Sequence, residues 1–270
     1  MPDYGRFSKV LVTQDDRLLT VSLNNPDRLN AMGGGLEREL SEVLRLVAED
    51  TSVGAVLLRG EGRAFCAGGD VKSFNEQTSA AEQEPPASRV LNTMKATEIL
   101  DTLLAVPQPI VAAVHGYAMG LGATIALFCD VVVAAEDAKI ADSHVAVGLV
   151  AGDGGAVIWP LLMPLGAARY HLMTGDPLTG ADAARYGMVL RAVPAAELPG
   201  ESERIARKLA DGAPLAVQGT KATLNKIVRD RMALNLESGL LLEGATFVSE
   251  DHKEAAAAFV EKRKPKFQGR

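Results

Sequence analysis

Pro109-Ile-Val-Ala-Ala-Val-His-Gly-Tyr-Ala-Met-Gly-Leu-Gly-Ala-Thr-Ile-Ala-Leu-Phe-Cys129 belongs to a run, Thr102 to Cys129, that carries no Asp, Glu, Lys or Arg. By length alone such a run reaches across a bilayer. Pro107, Pro109, His115, Gly116, Gly120 and Gly122 interrupt it, and Asp130 closes it. It therefore reads as a buried strand at Ile110–Val114, a glycine turn over Gly116–Gly122 and a buried helix over Gly120–Phe128. A buried strand that passes through glycines into a buried helix is the repeating unit of an α/β protein.

The flanking sequence repeats the unit. Lys9–Gln14 and Leu18–Leu23, rich in β-branched residues around Asp15-Asp16, predict a hairpin. Leu36, Leu40, Val43, Leu44 and Val47 recur at helical spacing and predict an amphipathic helix over Gly35–Glu49. Gly54–Leu58 predicts a strand that runs into the glycine-bearing stretch Gly60–Asp70. Residues 75–90, with their Ser, Ala, Gln, Glu and Pro, predict a mobile surface loop, followed by a helix over Val90–Leu104. Val131–Ala135 is a further strand, with Lys139–Ala141 extended after it.

Past residue 155 the pattern turns helical. Helices are expected over Gly155–Leu165, Ala167–Thr174, Gly180–Tyr186, Ala195–Asp211, Pro214–Val228, Arg231–Ser249 and Asp251–Lys262, with one strand at Val189–Val193. This suggests a core over residues 1–195 and a helical capping or oligomerisation region over 196–270.

The 270 residues are 47% apolar but only 4% aromatic, with 26 glycines, which implies a closely packed aliphatic core. A net charge of -6, with Lys and Arg dispersed, argues against nucleic acid as a partner. A few placed cations and backbone N–H groups still suffice to hold an anionic ligand. Cys66 and Cys129 form no disulfide framework and lack metal-ligand spacing, so a reducing, cytoplasmic setting is expected. No signal-peptide pattern precedes Val10.

Two strand-end glycine corners are the candidates for chemistry: Ala64-Phe-Cys-Ala-Gly-Gly-Asp70 and Gly116-Tyr-Ala-Met-Gly-Leu-Gly122. Either alone reads as an ordinary tight turn. Together they can aim two backbone N–H groups at one carbonyl oxygen, the layout that stabilises an enolate or tetrahedral oxyanion. Cys66, beside the first corner, reads as a small core thiol. Glu237 and Glu243 lie on a C-terminal helix that could reach a pocket, with solvation on the helix surface as the favoured reading.

These residues carry a resemblance. Asn24-Asn-Pro26, Arg28-Leu-Asn-Ala-Met32, Ala64–Asp70, Pro109–Gly122, Gly148–Gly155 and Phe259–Phe267, in this order, resemble the enoyl-CoA hydratase/isomerase (crotonase) family. The resemblance implies a ββα spiral core with a helical trimerisation region, assembled as a homotrimer or a dimer of trimers. It implies an acyl-CoA thioester substrate, with CoA entering as part of that substrate and no separate cofactor or metal, and no nucleic-acid or membrane partner. The oxyanion donors would be the N–H groups of Gly69 and Leu121. Ala64, Ala67, Gly69, Asp70 and Leu121 would line the CoA path, and Arg28, Lys72 and Lys262 or Arg263 would lie near its phosphates. For each of these cations a solvated surface role is the alternative.

The chain departs from that family at its two catalytic glutamates. Their positions hold Thr124 and His144. What remains is His144 with Asp153, nine residues apart: an imidazole suited to proton transfer near neutral pH and a carboxylate to orient it. Asp153 also fits as the N-cap of the helix that begins near Gly155. The spacing is similar to that of 6-oxocamphor hydrolase, a relative that cleaves a carbon–carbon bond in β-diketones. Hydration of a 2-enoyl-CoA is thus expected, with β-diketone hydrolysis and a catalytically silent acyl-CoA-binding subunit as the alternatives.

Overall fold

The computed structural model describes residues 2–69 and 97–270. The first turns of the expected helix at Val90–Leu104, the expected loop at 75–90, and the site candidates Asp70 and Lys72 lie outside them.

Six strands form the larger sheet: β1 (Val10–Asp15), β2 (Leu18–Leu23), β3 (Ala55–Gly60), β4 (Ile110–Val114), β6 (Val131–Ala135) and β9 (Arg191–Val193), in the order β1-β2-β3-β4-β6-β9. β1 and β2 make the expected antiparallel hairpin. Every other pairing in the sheet is parallel. A smaller sheet stands beside it, with β5 (Tyr117–Met119), β7 (Lys139–Ala141) and β8 (Leu178–Thr179) in the order β5-β7-β8.

The chain alternates between the two sheets. β4 enters the large one, β5 the small one, and helix α3 (Leu121–Leu127) follows; β6, β7 and helix α4 (Gly155–Leu162) repeat the step. This is a ββα spiral. β5 lies inside the glycine turn expected over Gly116–Gly122; three residues between glycines are too few to show a period of two.

Helix α1 (Leu36–Glu49) buries Leu36, Leu40, Val43, Leu44 and Val47, the stripe that predicted it. Helix α2 (Glu98–Ala105) packs on α1. Helices α5 (Leu165–Thr174) and α6 (Gly180–Tyr186) follow α4. Helix α7 (Leu198–Ala210) lies on the large sheet, with Ile205, Ala206 and Ala210 in the core.

Two expected helices are one. Helix α8 runs unbroken from Pro214 to Thr246, and helix α9 spans Glu250–Val260. The charged stretch Arg229–Arg231 is not a break, since no glycine or proline stands there and Arg229 reaches an exposed ion pair with Asp101.

The first half of α8 is fastened by buried polar groups. Lys221 Nζ donates to Gln108 O at 2.9 Å and pairs with Asp130 Oδ2 at 2.7 Å. Asn225 Nδ2 donates to Leu104 O at 3.1 Å. Asp130 Oδ2 also accepts from the N–H of Ile110 at 2.7 Å, so one carboxylate ties α8 to the start of β4. Lys221 is buried whereas Asp130 keeps contact with solvent, so loss of the ammonium is felt chiefly by the Gln108 carbonyl left without its donor. Lys221→Met, which keeps side-chain bulk, is expected to cost about 1–3 kcal/mol in urea unfolding; a loss within error of zero would show that the anchor contributes nothing.

Candidate active site

The two glycine corners meet on the small sheet. Cys66 pairs in parallel with Ala118: Cys66 N–H donates to Tyr117 O at 2.9 Å, and Met119 N–H to Cys66 O at 3.0 Å. Gly69 and Leu121 each lie three residues beyond that shared rung, so the two chains leave the ladder at matching positions. Gly69 pairs with Met32, whose N–H donates to Gly68 O at 2.7 Å. Leu121 is the first residue of α3. Among the described residues, neither the Gly69 N–H nor the Leu121 N–H has an acceptor. Ala64 is buried and its carbonyl accepts from Asn30 Nδ2 at 2.8 Å. Ala67 is half-buried, its N–H bonded to Leu29 O at 2.9 Å. Cys66 is fully buried, and burial pushes its thiol up to about 12, which suits a core role.

Beside the second corner sits the imidazole of His144, in the 3-10 turn that follows β7. Asp142, at the end of β7, accepts the backbone N–H of His144 at 3.3 Å and its ring Nδ1–H at 2.6 Å. A short carboxylate bonding two residues ahead is a natural turn former, so the local chain fold itself orients the ring. On the other side, Nε2 lies 3.3 Å from Asp153 Oδ2 and 3.9 Å from Glu243 Oε1. Thr124 Oγ1 donates to Asp153 Oδ1 at 3.4 Å.

His144 and Asp153 are therefore brought together as the sequence spacing suggested. Asp153 does not cap α4: Gly154 takes the cap position, and no side chain bonds there. Arg28 is exposed in the 3-10 turn Pro26–Arg28. Lys262 stands exposed just past α9 with φ of 55°, and Arg263 pairs with Glu254 and Glu261. Among the described residues, no hydrogen bond or ion pair joins the Lys262 or Arg263 side chain to the His144 cluster.

Sequence reasoning missed two members. Asp142, rather than Asp153, holds the Nδ1 side of the ring; the Asp-x-His pattern at a strand end was the available signal. Glu243, for which solvation on the helix surface is the favoured sequence reading over a place in a pocket, is 6% exposed, on the same face of α8 as Met232, Leu236 and Leu240. A carboxyl at i+3 after a buried leucine was the signal there. Glu37, in the first turn of α1, also faces this region: burial first, then Glu98 and Asp153, raise its carboxyl.

The protonation pattern follows from these contacts. Burial opposes a charge on His144, but the carboxylates of Asp153 and Asp142 outweigh it and hold the imidazole well above its usual range. Both ring nitrogens then carry protons, each directed at a carboxylate. Burial, reinforced by Asp153, pushes Glu243 up to about 8, against the opposing pull of His144. The contacts thus favour a proton on the imidazole and on the Glu243 carboxyl together.

A ββα spiral that sets a buried acid–imidazole cluster beside two unpaired main-chain amides is the frame of an acid–base enzyme acting on a carbonyl compound. Residues 13–270 match the profile of the enoyl-CoA hydratase/isomerase family. The mitochondrial enoyl-CoA hydratase of Pongo abelii is 33% identical over 247 residues, covering 92% of this chain and 82% of that protein. The 2,3-dehydroadipyl-CoA hydratase of Escherichia coli K12 is 32% identical over 267 residues, covering 97% and 100%. The crystal structure of an enoyl-CoA hydratase/isomerase from Mycobacterium paratuberculosis matches with a TM-score of 0.84 at 32% identity, over 92% of this chain and 97% of that one. The chain belongs to the enoyl-CoA hydratase/isomerase family.

Asp142 Oδ2 has no hydrogen-bond partner and packs on Gly155, where a Cβ would lie 1.8 Å from it. Gly155→Ala must displace this carboxylate from the ring. His144 is expected to titrate at lower pH in that variant than in the wild type, read from its imidazole proton resonances. An unchanged titration would mean that Asp142 does not hold the imidazolium.

Proposed function

We propose that this enzyme adds water to a 2-enoyl-CoA thioester. The observation that carries the reading is the convergence of His144 and Asp153 beside the corner that presents the Leu121 N–H. The amides of Gly69 and Leu121 grip the thioester oxygen and stabilise the enolate that forms as water attacks the β-carbon. Asp153 and His144 handle the water's proton, with Asp142 fixing the ring. CoA enters as the handle of the substrate, running past Ala64 and Ala67, with Arg28 and Lys262 serving its phosphates. Asp70 and Lys72 belong to this reading by sequence alone.

The apolar outer face of α8, where Leu224, Ile227, Leu234 and Leu241 are exposed, supports assembly into a homotrimer or a dimer of trimers. Among the described residues no helix is long and apolar enough to cross a membrane. A cytoplasmic location and the absence of nucleic-acid and membrane partners complete the reading.

The test is turnover on a panel of 2-enoyl-CoA thioesters, followed by loss of their conjugated absorbance. His144→Ala is expected to fold and to lower kcat by about 10²–10⁴-fold. Carbon–carbon cleavage of a β-diketone without enoyl-CoA turnover would transfer the site to the hydrolase reading, which the nine-residue His–Asp spacing favours. CoA binding with neither activity would leave a silent acyl-CoA-binding subunit.

The oxyanion grip has its own test. Leu121→Pro deletes one N–H at the first helical position, where proline is well tolerated. A kcat about 10²–10³-fold lower is expected, measured on whichever enoyl-CoA the wild type turns over. Wild-type kcat in that variant would remove this amide from the mechanism.

A further inference from the structure

We propose that Glu243, carried on the C-terminal helix, is a catalytic acid that delivers the proton received by the α-carbon of the acyl group, while Asp153 takes the proton of the attacking water. This assignment rests on the hydratase reading and deepens it.

The geometry singles out Glu243. The two protons of the His144 ring are committed, one to Asp142 at 2.6 Å and the other toward Asp153 at 3.3 Å. Glu243 is held on the Nε2 side of the ring, its Oε1 at 3.9 Å, while its Oε2 is buried without a hydrogen-bond partner. A buried carboxylate anion with only the Gly152 amide beside it is costly; the neutral acid is much less so and retains a proton to give. With all three carboxyl groups ionised around one imidazolium the pocket would hold two excess negative charges, and a proton on Glu243 halves that excess.

The placement is rigid. Asn235 Nδ2 donates to Ala156 O at 3.1 Å, and the N–H of Val150 donates to Thr246 Oγ1 at 3.2 Å, so α8 is tied to the loop around α4 on both sides of Glu243. Between them Gly239 meets Gly152 so closely that a Cβ on Gly152 would lie 2.3 Å from Gly239 O and 2.8 Å from Glu243 Oε2. This backbone contact brings an acid from the far end of the chain to the imidazole.

The cycle balances. Water loses a proton to the Asp153 carboxylate as its oxygen bonds to the β-carbon, and the electron pair of the double bond moves to the thioester oxygen held by the two amides. The enolate collapses, and the α-carbon takes the proton of Glu243. The return runs through His144: Nε2 gives its own proton to the Glu243 carboxylate, once Oε1 closes from 3.9 Å to hydrogen-bonding distance, and takes the proton of Asp153 from 3.3 Å away. No other reactant is consumed.

The test is Glu243→Gln, which preserves shape but has no acidic proton. The groups facing Glu243 are His144, Asp142 and Asp153, with the Gly152 amide; the first three are unchanged in the variant. In the wild type kcat is expected to fall as pH rises and Glu243 loses its proton. In the variant kcat at neutral pH should be about 10²–10⁴-fold lower, KM little changed, and that alkaline limb gone. Infrared difference spectra of the substrate-free proteins at neutral pH should show a protonated carboxyl band that shifts in heavy water and is absent from the variant. A variant that matches wild-type kcat across pH overturns the assignment and leaves the hydratase reading standing. A wild type that hydrates no enoyl-CoA overturns the hydratase reading and the α-carbon role with it. Absence of the carboxyl band overturns the acid whatever the substrate.

Discussion

One imidazolium held between two aspartates governs the rest of the site. Such a cation is stable out of water only if every polar group around it is placed by the fold, because an unmatched charge at that depth costs several kcal/mol. Asp142 must end a strand, Asp153 must precede a helix without capping it, and Thr124 must turn its hydroxyl to the second carboxylate. The ββα spiral meets these demands with backbone alone: β7 delivers the first acid, the 3-10 turn delivers the ring, and the glycine run before α4 leaves room for both.

Thr124 and His144 stand where the resemblance read in the sequence expects two glutamates, and neither position carries an acid. Acidic groups arrive instead from the start of α4 and the end of α8. On the proposed reading these carboxyl groups do the proton work, with a cation in the space between them.

Much of this was legible in the chain. The hairpin, the α1 stripe and the buried strand–helix unit at Ile110–Leu127 declare themselves through local periodicity, which depends only on neighbours in sequence. The His144–Asp153 pair was visible because nine residues separate its members. Asp142 was overlooked although closer, since nothing local says which ring nitrogen a nearby carboxylate will take. Glu243 lies some hundred residues from its partner, and its burial depends on where α8 meets Gly152, a contact no window of sequence contains. The fusion of α8 was hidden by Arg229–Arg231, whose charges resemble a loop but are carried outward on a continuous helix.

Helix α8 joins two distant fixtures, the Lys221–Asp130 anchor and the acid at 243, through one uninterrupted rod of roughly 33 Å at 1.5 Å per residue. Its azimuth at one end is thereby dictated by the other. Each residue added or lost between them would swing the carboxyl by about 100° around the axis and out of the pocket. In descendants of this sequence that segment can drift in composition but not in length.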